Sequence, residues 1–148
     1  MIVKVFKGVW FLSLLATVAI FLYVYASLPA DIQLREESAI SRDTLFYATL
    51  AVLTLFNALI FAMSRLYAGS DDYFQAWFYG LMIFLNLFII VTLQFLNVYN
   101  SQEKYSYDNI GYVIYGSLGM VVLWSSLWPA NYLLFRLSGK KSLTKTQN

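Results

Sequence analysis

Asn86, Gln94 and Asn97 stand inside the most apolar stretch of the chain, Ala76–Val98, which carries no charge over its 23 residues. Amides donate and accept hydrogen bonds but do not titrate, so they bind and orient without moving a proton. On a helix turning 100° per residue, Asn86 and Asn97 fall about 20° apart and Gln94 about 80° away, which puts all three on one face. Asn57, near the middle of the preceding apolar stretch, is the natural partner of Asn86. Two readings follow. The amides serve as interhelical glue, at roughly 0.6 kcal/mol per bond, or they line a polar track for a small solute, a lipid headgroup or a quinone.

No Asp, Glu, Lys or Arg stands deep inside an apolar stretch, so the intramembrane ionisable group of a proton-coupled transporter or pump is missing. The chain has no Cys and no His, which removes disulfides, thiolate nucleophiles, iron–sulfur clusters and the commonest metal ligand and general base. Acids occur only between the apolar stretches, as Asp31, Glu36, Glu37, Asp43, Asp71, Asp72, Glu103 and Asp108. Adjacent acids at a helix start act as caps that suit the helix dipole, so Asp71–Asp72 reads as a cap before it reads as a cation site. The expectation is a protein without catalytic residues, cofactor or metal.

The elements that position the amides are long apolar helices. Of the 148 residues 60% are hydrophobic and 12% charged, about half the charge usual in a soluble domain. The 23 residues of Ala76–Val98 rise about 34 Å as a helix, enough to cross a hydrocarbon core of about 30 Å. Four spans are expected, over about 8–26, 44–66, 76–98 and 110–137, in one all-α transmembrane domain with an up-down bundle. The first is read as a retained helix and not as a signal peptide, because its apolar run of about 18 residues exceeds a signal core. Pro29 ends it, Ser41 or Asp43 caps the second, and Pro129 kinks the fourth or ends its membrane-crossing part. The short polar connection between spans two and three predicts a tight antiparallel hairpin at the centre of the bundle. Ala58 and Ala62 in the second span, and Gly116 and Gly119 in the fourth, supply small surface for close helix approach. Aromatic residues make up 19% of the chain, and Tyr73–Tyr79 with Trp124, Trp128 and Tyr132 fit an interfacial belt.

Basic residues set the expected orientation. Lys4, Lys7, Arg65, Arg136, Lys140, Lys141 and Lys145 gather on one side and Arg35, Arg42 and Lys104 on the other, seven against three. The positive-inside rule then places both termini in the cytoplasm of a plasma or bacterial inner membrane. The tail 138–148 is expected to be disordered, with Lys140, Lys141 and Lys145 able to attract lipid headgroups and nothing pointing to nucleic acid.

A helix ending in YASLPADIQL, then a short polar loop and a second span, resembles the LP-x-x-I/V junction of the small bacterial membrane domains of unknown function associated with the SdpI immunity family. The resemblance covers about residues 10–66 and rests on Leu28, Pro29 and Ile32. It implies a small sensor or immunity-type protein reading a ligand at the outer loop 27–43, where Arg35, Glu36 and Glu37 are the candidate recognition residues. The residues themselves favour a non-catalytic accessory or scaffold subunit, with a larger membrane complex or a second copy of the chain as partner. A facilitator or lipid carrier using the amide track is the third reading.

Overall fold

A computed structural model describes residues 2–35, 38–66, 72–101 and 108–144. It contains α1 (Ile2–Ser27), β1 (Asp31–Arg35), β2 (Ser38–Ser41), α2 (Arg42–Leu66), α3 (Asp72–Tyr99) and α4 (Asp108–Thr144). Four of these helices carry segments long and apolar enough to cross a membrane: Ile2–Ser27, Arg42–Met63, Asp72–Tyr99 and Gly111–Asn131. Many large apolar side chains point away from the core, among them Leu12, Leu55, Phe61 and Leu123. In water such a surface would drive aggregation, whereas in lipid it is the expected exterior of a multi-pass membrane protein.

Local chemistry sets the boundaries. α1 stops at Ser27, two residues ahead of Pro29, and Leu28 closes its last turn through N–H to Val24 O at 3.0 Å. Ser41 is the residue that caps α2, its Oγ accepting the Thr44 N–H at 3.1 Å. Asp43 instead accepts the Tyr25 hydroxyl at 3.2 Å. α4 does not end at Pro129. The proline lies inside one continuous helix, which also carries the backbone through 138–144 where disorder was expected. Adding residues to a formed helix needs no new nucleus, and Lys140 and Lys141 lie near the C-terminal end that favours cations.

Contacts give the helix directions. Trp10 meets Tyr79 with ring centroids 5.8 Å apart, Ser13 meets Asn86, and Ser27 meets Asn97, so α1 and α3 run parallel. Asn57 meets Asn86 while Leu45 and Leu96 line one groove, so α2 runs antiparallel to α3. Trp124 pairs with Trp77 and Trp128 with Phe74, so α4 is antiparallel to α3 as well. The central element is α3, packed most extensively on α1 and next on α4, and not the expected central pair α2–α3. A short connection fixes only where two helix ends meet; the extent of packing depends on which faces fit. α2 contributes the stripe Leu53, Asn57 and Ile60, while Ala58 and Ala62 face outward.

The segment after α1 folds into a two-stranded antiparallel hairpin, with Asp31 opposite Ser41 and Ile32 opposite Ile40. Ile32 is fully buried and Leu28 nearly so, in one cluster with Phe21, Val24, Leu53, Ile89 and Leu93. The hairpin thus plugs one end of the bundle. Asn100, at the end of α3, reads the hairpin backbone from the side: its Oδ1 accepts the Gln33 N–H at 2.8 Å and its Nδ2 donates to Gln33 O at 3.2 Å. Ile32→Ala is expected to lower stability by about 2 kcal/mol, near the low end for a buried isoleucine because the site lies at the bundle end. Thermal unfolding in detergent measures it, and an unchanged midpoint would mean that the plug carries no packing energy.

Candidate functional site: an amide core shared by three helices

Trp10, Ser13 and Thr17 recur at helical spacing on one face of α1 and are the polar residues of that face at mid-helix. α2 brings Asn57 and α3 brings Asn86 to the same place. Asn57 is 7% exposed, Asn86 1% and Thr17 0%. The level is bounded on one side by Phe21, Val24, Leu53, Ile89 and Leu93, and on the other by Trp10, Ile60, Tyr79 and Met82. Water is excluded from both directions, so every donor and acceptor at this level must find a protein partner.

They do. Trp10 Nε1 donates to Asn57 Oδ1 at 2.8 Å. Asn57 Nδ2 donates to Leu53 O at 2.9 Å and to Asn86 Oδ1 at 3.1 Å. Asn86 Nδ2 donates to Ser13 Oγ at 3.0 Å and, more weakly, to Asn57 Oδ1 at 3.4 Å. The Ser13 hydroxyl donates in turn to Trp10 O at 2.8 Å. Thr17 Oγ1 donates to Ser13 O at 2.7 Å and approaches Asn86 O at 3.4 Å. Both amide NH₂ groups have two acceptors each, and the indole and both hydroxyl donors are also used. Such a closed ring in a low dielectric locks the three helices into one relative register.

The other amides do not extend it into a track. Asn97 lies eleven residues further along α3, where its Oδ1 accepts the Ser27 hydroxyl at 2.8 Å. Buried Ile89 and Leu93 stand between that site and Asn86. Gln94 is half-buried and makes no side-chain hydrogen bond among the described residues. The three amides of α3 therefore occupy one helical face and three separate environments.

A second contact, between α3 and α4, is built from tryptophan. Trp77 Nε1 donates to Trp124 O at 2.8 Å, and Trp124 Nε1 donates back to Trp77 O at 2.9 Å. Gly80 makes the approach possible, because a Cβ at that position would overlap the Trp124 indole. Phe6, Phe84, Phe74 and Trp128 surround the pair with centroid separations of 5.2 to 6.2 Å. The aromatic residues expected as an interfacial belt are thus also the packing of α4 onto α3. The glycines singled out in α4 play no such part, since a Cβ at Gly116 or Gly119 meets nothing within 4 Å.

Chemically the amide core binds helices to one another and offers a ligand little. It has no titratable group, and among the described residues no three acids, histidines or cysteines gather as a metal set. Glu36, Glu37, Asp71 and Lys145, and the side chains of Arg35, Lys140 and Lys141, lie outside the described residues.

The chain matches no family model, no curated protein and no solved structure. Its own geometry is what bears on function.

The sequence pointed to Asn57 and Asn86 but not to Trp10, Ser13 and Thr17, although their 10-13-17 spacing on an otherwise apolar helix was a usable signal. Gly80 and Asn100 were also passed over. Nothing local distinguishes Gly80 from the open glycines of α4, because only the opposing Trp124 makes its missing Cβ matter.

Proposed function

We propose that this chain is a non-catalytic accessory or scaffold subunit of the plasma or bacterial inner membrane, with both termini cytoplasmic and the hairpin on the outer side. The observation that carries the reading is the closure of the amide core. Asn57 and Asn86, the polar groups at mid-bundle, are engaged with each other and with Trp10 and Ser13, which favours a rigid bundle over a conduit. The same closure moves the candidate partner surface from the amides to α4. Its outward face presents Tyr112, Tyr115, Gly116 and Leu123, with the two tyrosines and the leucine more than 70% exposed. Small residues flanked by large ones allow another helix to approach closely where lipid offers no hydrophobic drive. Basic residues seven to three support the orientation.

The test is purification of tagged protein in mild detergent beside a matched four-helix control, with mass spectrometry of what accompanies it. Stoichiometric recovery of one larger membrane complex is expected. A Cβ at Gly116 meets nothing within 4 Å, so Gly116→Leu should not lower the unfolding midpoint and should reduce recovery about tenfold, the effect of about 1.4 kcal/mol at an interface. Recovery of the chain alone, or of the complex undiminished with Gly116→Leu, would sink the assignment to α4.

A further inference from the structure

Pro129 lies inside α4 and has no N–H, so the carbonyl four residues before it, Ser125 O, loses its helical donor. Among the described residues no side chain donates to it either; α3 serves the neighbouring carbonyl, Trp124 O, through Trp77 Nε1 at 2.8 Å. Ser125 stands within the apolar segment Gly111–Asn131, where lipid offers no donor and an unpaired carbonyl is costly.

One turn earlier the imbalance is reversed. Val122 O accepts the Ser125 hydroxyl at 2.9 Å and the Ser126 hydroxyl at 2.8 Å, and the helix adds the Ser126 N–H. Three donors thus crowd a carbonyl with two lone pairs. The chain cannot correct this by itself, because a helical serine reaches back only to carbonyls three or four residues before it, and the residues three and four after Ser125 are Trp128 and Pro129. A surplus hydroxyl and an empty acceptor stand side by side on one surface. Val122, Ser126 and Pro129 are all exposed, and on a helix turning 100° per residue they fall within about 60° of one another.

We infer that α4 pairs across this patch with α4 of a second copy of the chain, each Ser126 hydroxyl donating to the Ser125 carbonyl of the other copy. A patch that holds both the spare donor and the empty acceptor is complementary to itself, so one two-fold contact satisfies both needs twice. Two copies inserted alike in a bilayer are related by an axis along its normal, which brings Ser125 and Ser126 of each to the same depth. Ser126 and Ala130, exposed and four residues apart, keep the surface low enough for the backbones to approach. Gly116 points about 80° or more away from Val122, Ser126 and Pro129, so the contact does not rest on the accessory-subunit reading.

Sedimentation equilibrium of the full chain in density-matched mild detergent, over a range of protein-to-detergent ratios, tests the pairing. Wild type is expected to dimerise reversibly. Ser126→Ala should raise the dimer dissociation constant about sevenfold, the loss of two interhelical hydrogen bonds of ordinary membrane strength. Pro129→Ala returns an N–H to Ser125 O and should weaken the dimer to a similar extent, with the double substitution no weaker than either alone. Ser126→Leu should leave a monomer whose unfolding midpoint is not lowered, and Gly116→Leu should leave the dimer as it is. A chain monomeric at every ratio, or a dimer that Ser126→Leu leaves intact, would overturn the pairing. A dimer weakened by Ser126→Ala but not by Pro129→Ala would overturn Ser125 O as the acceptor.

Discussion

Asn86→Leu is expected to destabilise the bundle by about 2 kcal/mol, the largest effect of any single polar substitution in it. The side chain holds Asn57 on α2 and Ser13 on α1 at once, so its removal leaves one Asn57 N–H without an acceptor and the Ser13 hydroxyl oxygen without its donor, where water does not reach. Orphaned buried groups each cost about 1–3 kcal/mol in water-soluble proteins, and the membrane-embedded reference state discounts this because unfolded helices also find partners. Asn57→Leu should cost a similar amount, since it strips Trp10 Nε1 of its acceptor. The double replacement should cost less than the sum of the two, with a coupling of about 1 kcal/mol, because apolar groups on both sides leave fewer orphans. Reversible unfolding from mild detergent into denaturing detergent, followed by circular dichroism, provides all four corners of the cycle. Strict additivity would mean that Asn57 and Asn86 do not act as one unit. A carrier would show a different pattern, losing solute movement in liposomes with its stability intact.

The second large effect is expected at Gly80. Glycine to alanine within a helix ordinarily stabilises by up to about 1 kcal/mol. Here the added methyl overlaps the Trp124 ring, so Gly80→Ala should instead destabilise by about 2 kcal/mol, as overpacking does, and should loosen α4 from α3. Trp124→Ala removes the obstacle, and Gly80→Ala in that background should return to neutral or slightly stabilising. Unfolding midpoints report the sign, and the tryptophan emission of Trp77 reports loss of its bond to Trp124 O. A stabilising Gly80→Ala in the wild-type background would mean that α4 lies further from α3 than the reciprocal indole contact implies.

The plan of four apolar helices was legible from the sequence, because helix length and absence of charge are properties of each stretch alone and the bilayer sets the length they must reach. Boundaries at Pro29 and the Ser41 cap were legible for the same reason: a missing N–H, or an oxygen three residues from a free amide, acts within one turn. The hairpin was only faintly legible. DIQL alternates, but Ile32 is a plug because Phe21, Val24, Ile89 and Leu93 leave a hole for it at the end of the bundle.

What the tertiary structure alone decided is which of several equivalent residues matter. Asn86, Gln94 and Asn97 share a helical face, yet only Asn86 meets α1 and α2 at the level where Ser13 and Asn57 also arrive. Ala58-x-x-x-Ala62 and Ala76-x-x-x-Gly80 share one small-residue spacing, yet Ala58 and Ala62 face outward, as Gly116 does, while Gly80 sits against Trp124. Hydropathy, capping and chain-terminating geometry are local energies, and a sequence states them directly. The partner of a buried amide, or the neighbour that makes a missing Cβ necessary, belongs to a contact between residues dozens of positions apart, and becomes definite only when the helices have chosen their register.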